Sequence, residues 1–190
     1  MNTTDAREAA MIQPDAPSSA DVPTNAETTT AAWRAAGERG DAEAAAACLA
    51  EDAVAISPLT AAFRFTGRDQ VREMLIAATA VFSDLRYHTE VGDEHTRALF
   101  LTGRAGREQF EEAQLLRFDA HGRITELTLF GRPLPALTRV MGDIGPLLLR
   151  RQGRPGLARV VQAATAPLAL LTRVGERRLV PLADPNRVRR

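Results

Sequence analysis

The apolar residues of this chain switch from helical to alternating period near residue 84, and that switch limits the folds open to it. Between Thr29 and Phe82 they recur at helical spacing, whereas from Asp84 to Arg132 they alternate. The alternating part reads as four strands, LRYHTEV, TRALFLTGR, EQFEEAQLLRF and RITELTLFGR. Between them lie Gly92-Asp93, the Gly103 to Gly106 turn and Asp119-Ala120-His121-Gly122. Turns this short permit only antiparallel hairpins. Helices followed by an antiparallel meander give an α+β fold with the helices on one face of the sheet.

The helices come in three pieces. Thr29 or Thr30 opens a short one through AAWRAAGERG, and Asp41 caps a second over DAEAAAACLAEDA, where alanine keeps the helix propensity high. Val54, Ala55 and Ile56 make a brief extended run that Ser57-Pro58 ends. Gly67 opens the third, from about Arg68 to Phe82, with Val71, Met74, Leu75, Ala78 and Phe82 on one stripe. After Arg132-Pro133 the helical period returns through Leu137, Val140, Met141 and Ile144, and Gly145-Pro146 marks a stop. A last amphipathic stretch carries Leu157, Val160, Val161, Ala164, Leu168, Leu171 and Val174 on one side, with Pro167 expected to kink or divide it.

Charge is spread unevenly along the chain. Residues 1–63 carry 10 acids against 3 arginines, and residues 144–190 carry 2 acids against 10 arginines. Residues 1–28 are rich in Ala, Thr, Pro, Asp and Ser without apolar periodicity, so they read as a disordered tail. The expected organisation is that tail, an α+β domain over 29–145, and a basic amphipathic extension over 146–190. There is no lysine, which excludes Schiff-base chemistry. Cys48, the single cysteine, cannot close an intramolecular disulfide, and no Cys/His spacing suggests a structural metal site. A reducing cytoplasm fits this usage, and no secretory signal or membrane-length apolar run is expected. No Gly-rich phosphate loop appears, because Gly103 to Gly106 lies between strands. Ser57 has no His/Asp partners and is no nucleophile.

Four segments together resemble the SnoaL-like polyketide cyclase branch of the nuclear-transport-factor-2-like superfamily. They are WRAAGERGD (Trp33 to Asp41), LAEDAVAISP, the F-x-G-R-D-x-V helix start at Phe65, and the closing hairpin LLRFDAHGRITELTLFGRP. The resemblance covers roughly residues 29–145 and rests on the order of the segments. It implies a cone: a strongly curved antiparallel sheet wrapped around the N-terminal helices (a cystatin-like α+β roll), with a pocket between the concave face and the long helix. It also implies a small apolar or polyketide-like ligand, no cofactor and a homodimer. Family members include isomerases, dehydratases, epoxide hydrolases and aldol cyclases, so the fold alone does not choose a reaction.

The last hairpin can be registered from its own pattern. With one bulged residue in the turn, Phe118 faces Ile124, Leu116 faces Glu126, Gln114 faces Thr128 and Glu112 faces Phe130. These eight residues then share the cavity face, and Ala113, Leu115, Arg117, Thr125, Leu127 and Leu129 share the outer one. Leu115, Leu127 and Leu129 are thereby expected at a homodimer contact. A carboxyl in an apolar cavity has a raised pKa, so Glu112 is the first candidate for a general base and Glu126 the second. The competing reading for both is a solvated strand carboxylate. Gln114 stands where many SnoaL-like relatives are expected to carry an acid; it and Tyr87 are candidates to hold a developing oxyanion. The favoured reading of Tyr87 is a core tyrosine with one satisfied hydroxyl. Trp33 resembles a cavity-roof aromatic and reads as pocket wall or plain core, while Phe118, Glu126, Thr128 and Phe130 complete the ligand-binding set.

The expected function is binding of a small apolar molecule with cofactor-independent cyclase or isomerase chemistry by proton transfer. A non-catalytic ligand-binding or dimerisation module is the alternative. An epoxide hydrolase would need an Asp-Arg-Asp set that the cavity face lacks. The basic extension lacks interleaved aromatics, which disfavours nucleic acid and leaves peripheral membrane contact through 146–190 open.

Overall fold

The computed structural model describes residues 25–186, and the tail expected over residues 1–24 lies outside the described residues. Residues 25–28, assigned to that tail from sequence, form the first turn of α1 (Asn25–Arg39). Ala26 is buried there and its carbonyl accepts the Thr30 hydroxyl at 2.7 Å. Asp41 caps α2 (Ala42–Ala47) as expected, accepting the Ala44 N–H at 2.9 Å.

The alanine-rich run does not stay helical beyond that point. Strand β1 (Leu49–Ile56) begins within it, with Leu49, Ala53 and Ala55 buried and its backbone paired to the last strand. Alanine's advantage in a helix amounts to roughly tenths of a kcal/mol per residue, which tertiary pairing readily overrides. Strand β2 (Phe65–Thr66) follows, and Gly67 then turns the chain into α3 (Arg68–Thr79), which buries Val71, Met74 and Ala77. That helix ends before Phe82, which begins the next strand.

Strands β3 (Phe82–Gly92), β4 (Thr96–Ala105), β5 (Glu108–Phe118) and β6 (Ile124–Arg132) form the expected antiparallel meander. The open sheet has the order β2-β1-β6-β5-β4-β3. Its β1–β6 pair is parallel, so the sheet is mixed where an antiparallel one was expected. Register breaks in β1, β3 and β6 bend it. The main core lies between α1–α3 and one sheet face, with Trp33, Leu49, Val71, Leu99, Leu116, Ile124 and Leu127 at its centre.

Two long helices close the chain. Helix α4 (Leu134–Arg151) runs through Gly145-Pro146, and α5 (Pro155–Arg178) runs through Pro167. The expected stop at Gly145-Pro146 and the division at Pro167 are therefore absent, and the boundary placed at residue 145 falls inside α4. Pro146 is fully buried, so packing offsets its missing hydrogen bond. A Cβ on Gly142 would lie 3.2 Å from the Thr165 hydroxyl, which shows how closely the two helices approach. Thr138 and Thr172 hydroxyls meet at 2.8 Å beyond Pro167, so α5 is held on both sides of that proline. Arg151 ties α4 to Glu73 at 2.5 Å and Arg173 ties α5 to Glu108 at 2.6 Å. A 3-10 turn (Val180–Ala183) follows. No helix among the described residues is long and apolar enough to cross a membrane.

Candidate functional site

Strand register builds the site. Tyr87, Leu101, Glu112 and Gly131 stand side by side across β3, β4, β5 and β6, and Leu99, Gln114 and Leu129 form the next row. These rows lie on the face that the helices cover. A cavity of about 710 Å³ opens above them, lined mainly by apolar side chains. Helix α1 contributes Trp33, α3 contributes Met74, Leu75 and Ala78, and the loop before β2 contributes Leu59 and Phe63. Leu137, Val140, Met141, Ile144 and Leu148 of α4, with Val161 of α5, complete the wall.

One polar chain crosses this apolar space. The Trp33 indole N–H donates to Gln114 Oε1 at 2.8 Å and the Tyr87 hydroxyl donates to the same oxygen at 3.1 Å. An indole can only donate, so the amide must turn its oxygen toward Trp33. That orientation aims the Gln114 Nε2 at Glu112, to which it donates at 2.7 Å. Gly37 makes room for this arrangement, since a Cβ there would lie 2.9 Å from the Tyr87 hydroxyl. The Arg34 guanidinium sits 5.9 Å from the centre of the Tyr87 ring, and the Glu38 carboxylate accepts the Tyr87 backbone N–H at 3.0 Å.

The electrostatics follow from burial. Desolvation raises the Glu112 carboxyl from an ordinary 4.5 to about 7, against the opposing hydrogen bond from Gln114. Burial first, then the nearby Glu112 charge, push the Tyr87 hydroxyl well above its ordinary range, so it remains a donor at neutral pH. Glu112 therefore exchanges its proton near neutrality inside an apolar chamber, the condition that general acid–base chemistry requires.

The expected site residues divide into two groups. Trp33, Tyr87, Glu112 and Gln114 line the cavity, and Trp33 belongs to both the pocket wall and the core. Phe118 is buried in the core beside Ile124 and does not line the cavity. Glu126, Thr128 and Phe130 face the opposite side of the sheet. The reason is a bulge at Thr125: Phe118 does face Ile124, but Arg117 faces Glu126, Leu116 faces Leu127 and Gln114 faces Leu129. Every residue of β6 after the bulge is thus reversed from the expected face. Leu127 and Leu129 line the cavity and cannot form an outer contact, whereas Leu115 does lie on the outer face. Glu126 is held there by Arg117 at 3.4 Å.

Outside the cavity, His95 lies against Glu94, while Glu90 is taken by Arg34 and Arg97. Arg132 pairs with Glu111 and Arg64 is exposed. Among the described residues, no cluster of three His, Cys, Asp or Glu side chains could hold a metal ion. Sequence reasoning missed the α4 and α5 contributions to the wall. It also missed Asp84, which borders the cavity with a left-handed backbone (φ 56°).

A bent open sheet and packed helices enclosing an apolar chamber with one raised carboxyl define a nuclear-transport-factor-2-like pocket protein. The chain belongs to the SnoaL-like domain family, whose profile matches residues 30–127. Among solved structures it is similar to a steroid delta-isomerase from Pseudomonas aeruginosa. That match has 26% identity and a TM-score of 0.63, and covers 70% of this chain and 98% of the other. A conserved bacterial protein with a cystatin-like fold from Silicibacter pomeroyi shares the fold at 24% identity and TM-score 0.62, over 68% of this chain and 93% of that one. An NTF2-like protein of unknown function from Cytophaga hutchinsonii does so at 15% identity and TM-score 0.50, over 60% and 96%. No curated protein sequence matches.

Proposed function

We propose that this protein binds a small apolar molecule, of polyketide or comparable polycyclic character, and rearranges it by proton transfer through Glu112 without a cofactor. The observation that carries the reading is one carboxyl, raised to about 7, inside a largely apolar cavity of about 710 Å³. Glu112 takes a proton from a carbon beside a carbonyl, the C–H electron pair moves into an enolate, and the same proton is returned elsewhere on the skeleton. Gln114 has a second Nε2 hydrogen to offer the enolate oxygen. Tyr87 already donates to Gln114, so it serves mainly to hold that amide. The likeness to a steroid delta-isomerase supports proton transfer as the reaction type.

Two variants test the proposal with apolar carbonyl compounds as probes and Trp33 fluorescence as the binding signal. Glu112→Gln should abolish turnover and leave binding nearly intact. Leu129→Glu, which sets a second carboxylate among the apolar walls, should weaken both. Unchanged turnover in Glu112→Gln would leave a binding module instead, and no quenching by any apolar probe would overturn the pocket reading. The protein is further proposed to work in the cytoplasm, where Cys48 stays reduced, and to pair with a second copy through the outer sheet face. Phe100, Leu115 and Phe130 supply that face, with Phe100 39% and Phe130 55% exposed.

A further inference from the structure

Helix α5 is turned the wrong way round for a helix that only packs on its own domain. Toward α4 it presents small residues: Ala158 is fully buried, and Thr165, Ala169 and Thr172 are half-buried. Its large apolar side chains face outward, with Val160 63%, Leu170 59% and Leu171 68% exposed. The 3-10 turn that follows exposes Val180 at 58% and Leu182 at 62%. A surface helix ordinarily buries such a stripe, and a contiguous exposed apolar strip marks a place where something else binds.

Charge selects what covers it. Residues 144–190 carry 10 arginines against 2 acids. Arg151 and Arg173 tie the helices to the domain, whereas Arg154, Arg159, Arg177 and Arg178 are exposed. Helical periodicity sets Arg159 and Arg177 along one edge of the apolar strip and Arg178 at its end. Two copies laid strip to strip would bring like charges together. An anionic lipid surface reverses that sign: Leu and Val side chains enter the acyl boundary while guanidinium groups reach up to the phosphates.

We propose that α5 and the following 3-10 turn dock this protein on an anionic membrane surface, lying in the plane of the interface. Val161, on the inner side of the same helix, lines the cavity. Docking therefore brings the chamber beside a bilayer, which dissolves apolar ligands. That consequence rests on the pocket reading, whereas the docking itself does not.

Flotation of the full chain tests it, with vesicles of phosphatidylcholine alone and of phosphatidylcholine mixed with phosphatidylglycerol. The protein should float with the mixed vesicles only, and added sodium chloride should release it. Val160→Glu with Leu171→Glu, both at exposed positions, should weaken partitioning roughly a hundredfold or more. Arg159→Glu with Arg177→Glu should weaken it about tenfold or more. Circular-dichroism melting should be unchanged in all of them. Absence of flotation with mixed vesicles, or flotation that both double variants retain, would overturn the proposal. So would an oligomer that Leu171→Glu dissociates while vesicles are ignored, because a second copy would then cover the strip. Quenching of Trp33 by a soluble apolar probe, which none of these changes touches, reports on the pocket reading separately.

Discussion

Glu112 keeps its proton in the folded chain over a range where the unfolded chain loses it, because burial lifts the carboxyl from 4.5 to about 7. Within that window the folded state binds more protons than the unfolded one, so stability falls as pH rises. The loss is absent below 4.5, complete above about 7, and on the order of 3 kcal/mol. Glu112→Gln removes the ionisation. The variant should gain on the native protein as pH rises, which urea unfolding at about pH 5 and about pH 8 would measure; a gap independent of pH would contradict the burial. Gln114 is the other test at this scale. Gln114→Leu strands the Trp33 N–H and the Tyr87 hydroxyl without an acceptor, and each stranded group costs about 1–3 kcal/mol. Both residues were legible in the sequence because β5 alternates without interruption from Glu112 to Phe118. The hydrogen bond from Trp33 was not, since 81 residues separate it from Gln114 and no local pattern encodes the meeting.

Strand β6 shows how one residue decides which side chains reach a site. Ile124 and Leu127 are both buried though an odd interval separates them, which uninterrupted alternation forbids; only the bulge at Thr125 allows it. That odd interval was the available signal. Placing the irregularity wholly in the turn assigned Glu126, Thr128 and Phe130 to the cavity in place of Leu127 and Leu129. Two substitutions separate the registers. Leu127→Glu buries an unpaired charge and should cost about 3 kcal/mol or more of stability in thermal or chemical unfolding. Phe130→Glu should leave the fold nearly unchanged and weaken self-association in sedimentation. The opposite pattern would restore the expected register. Helix ends were misread for a related reason: propensity and proline act locally, while β1 is set by its pairing with β6 and α4 by the burial of Pro146.

At the scale of the whole molecule, the order of elements and the α+β class follow from the changes of period near residues 84 and 132. Enclosure of the chamber does not, because it needs α4 and α5 to fold back over the sheet. The apolar stripe of α4 was visible as a helix, yet nothing in its spacing says that Leu137, Met141 and Leu148 would face Glu112 across a cavity. That enclosure makes the carboxyl unusual and gives the long helices their place in the function. Carbon-13 NMR titration of the Glu112 side-chain carboxyl, assigned by its absence in Glu112→Gln, measures the result directly. The enclosed chamber predicts a midpoint of about 7; a midpoint at the ordinary carboxylate value of 4.5 would mean that Glu112 stands in water and that no apolar chamber surrounds it.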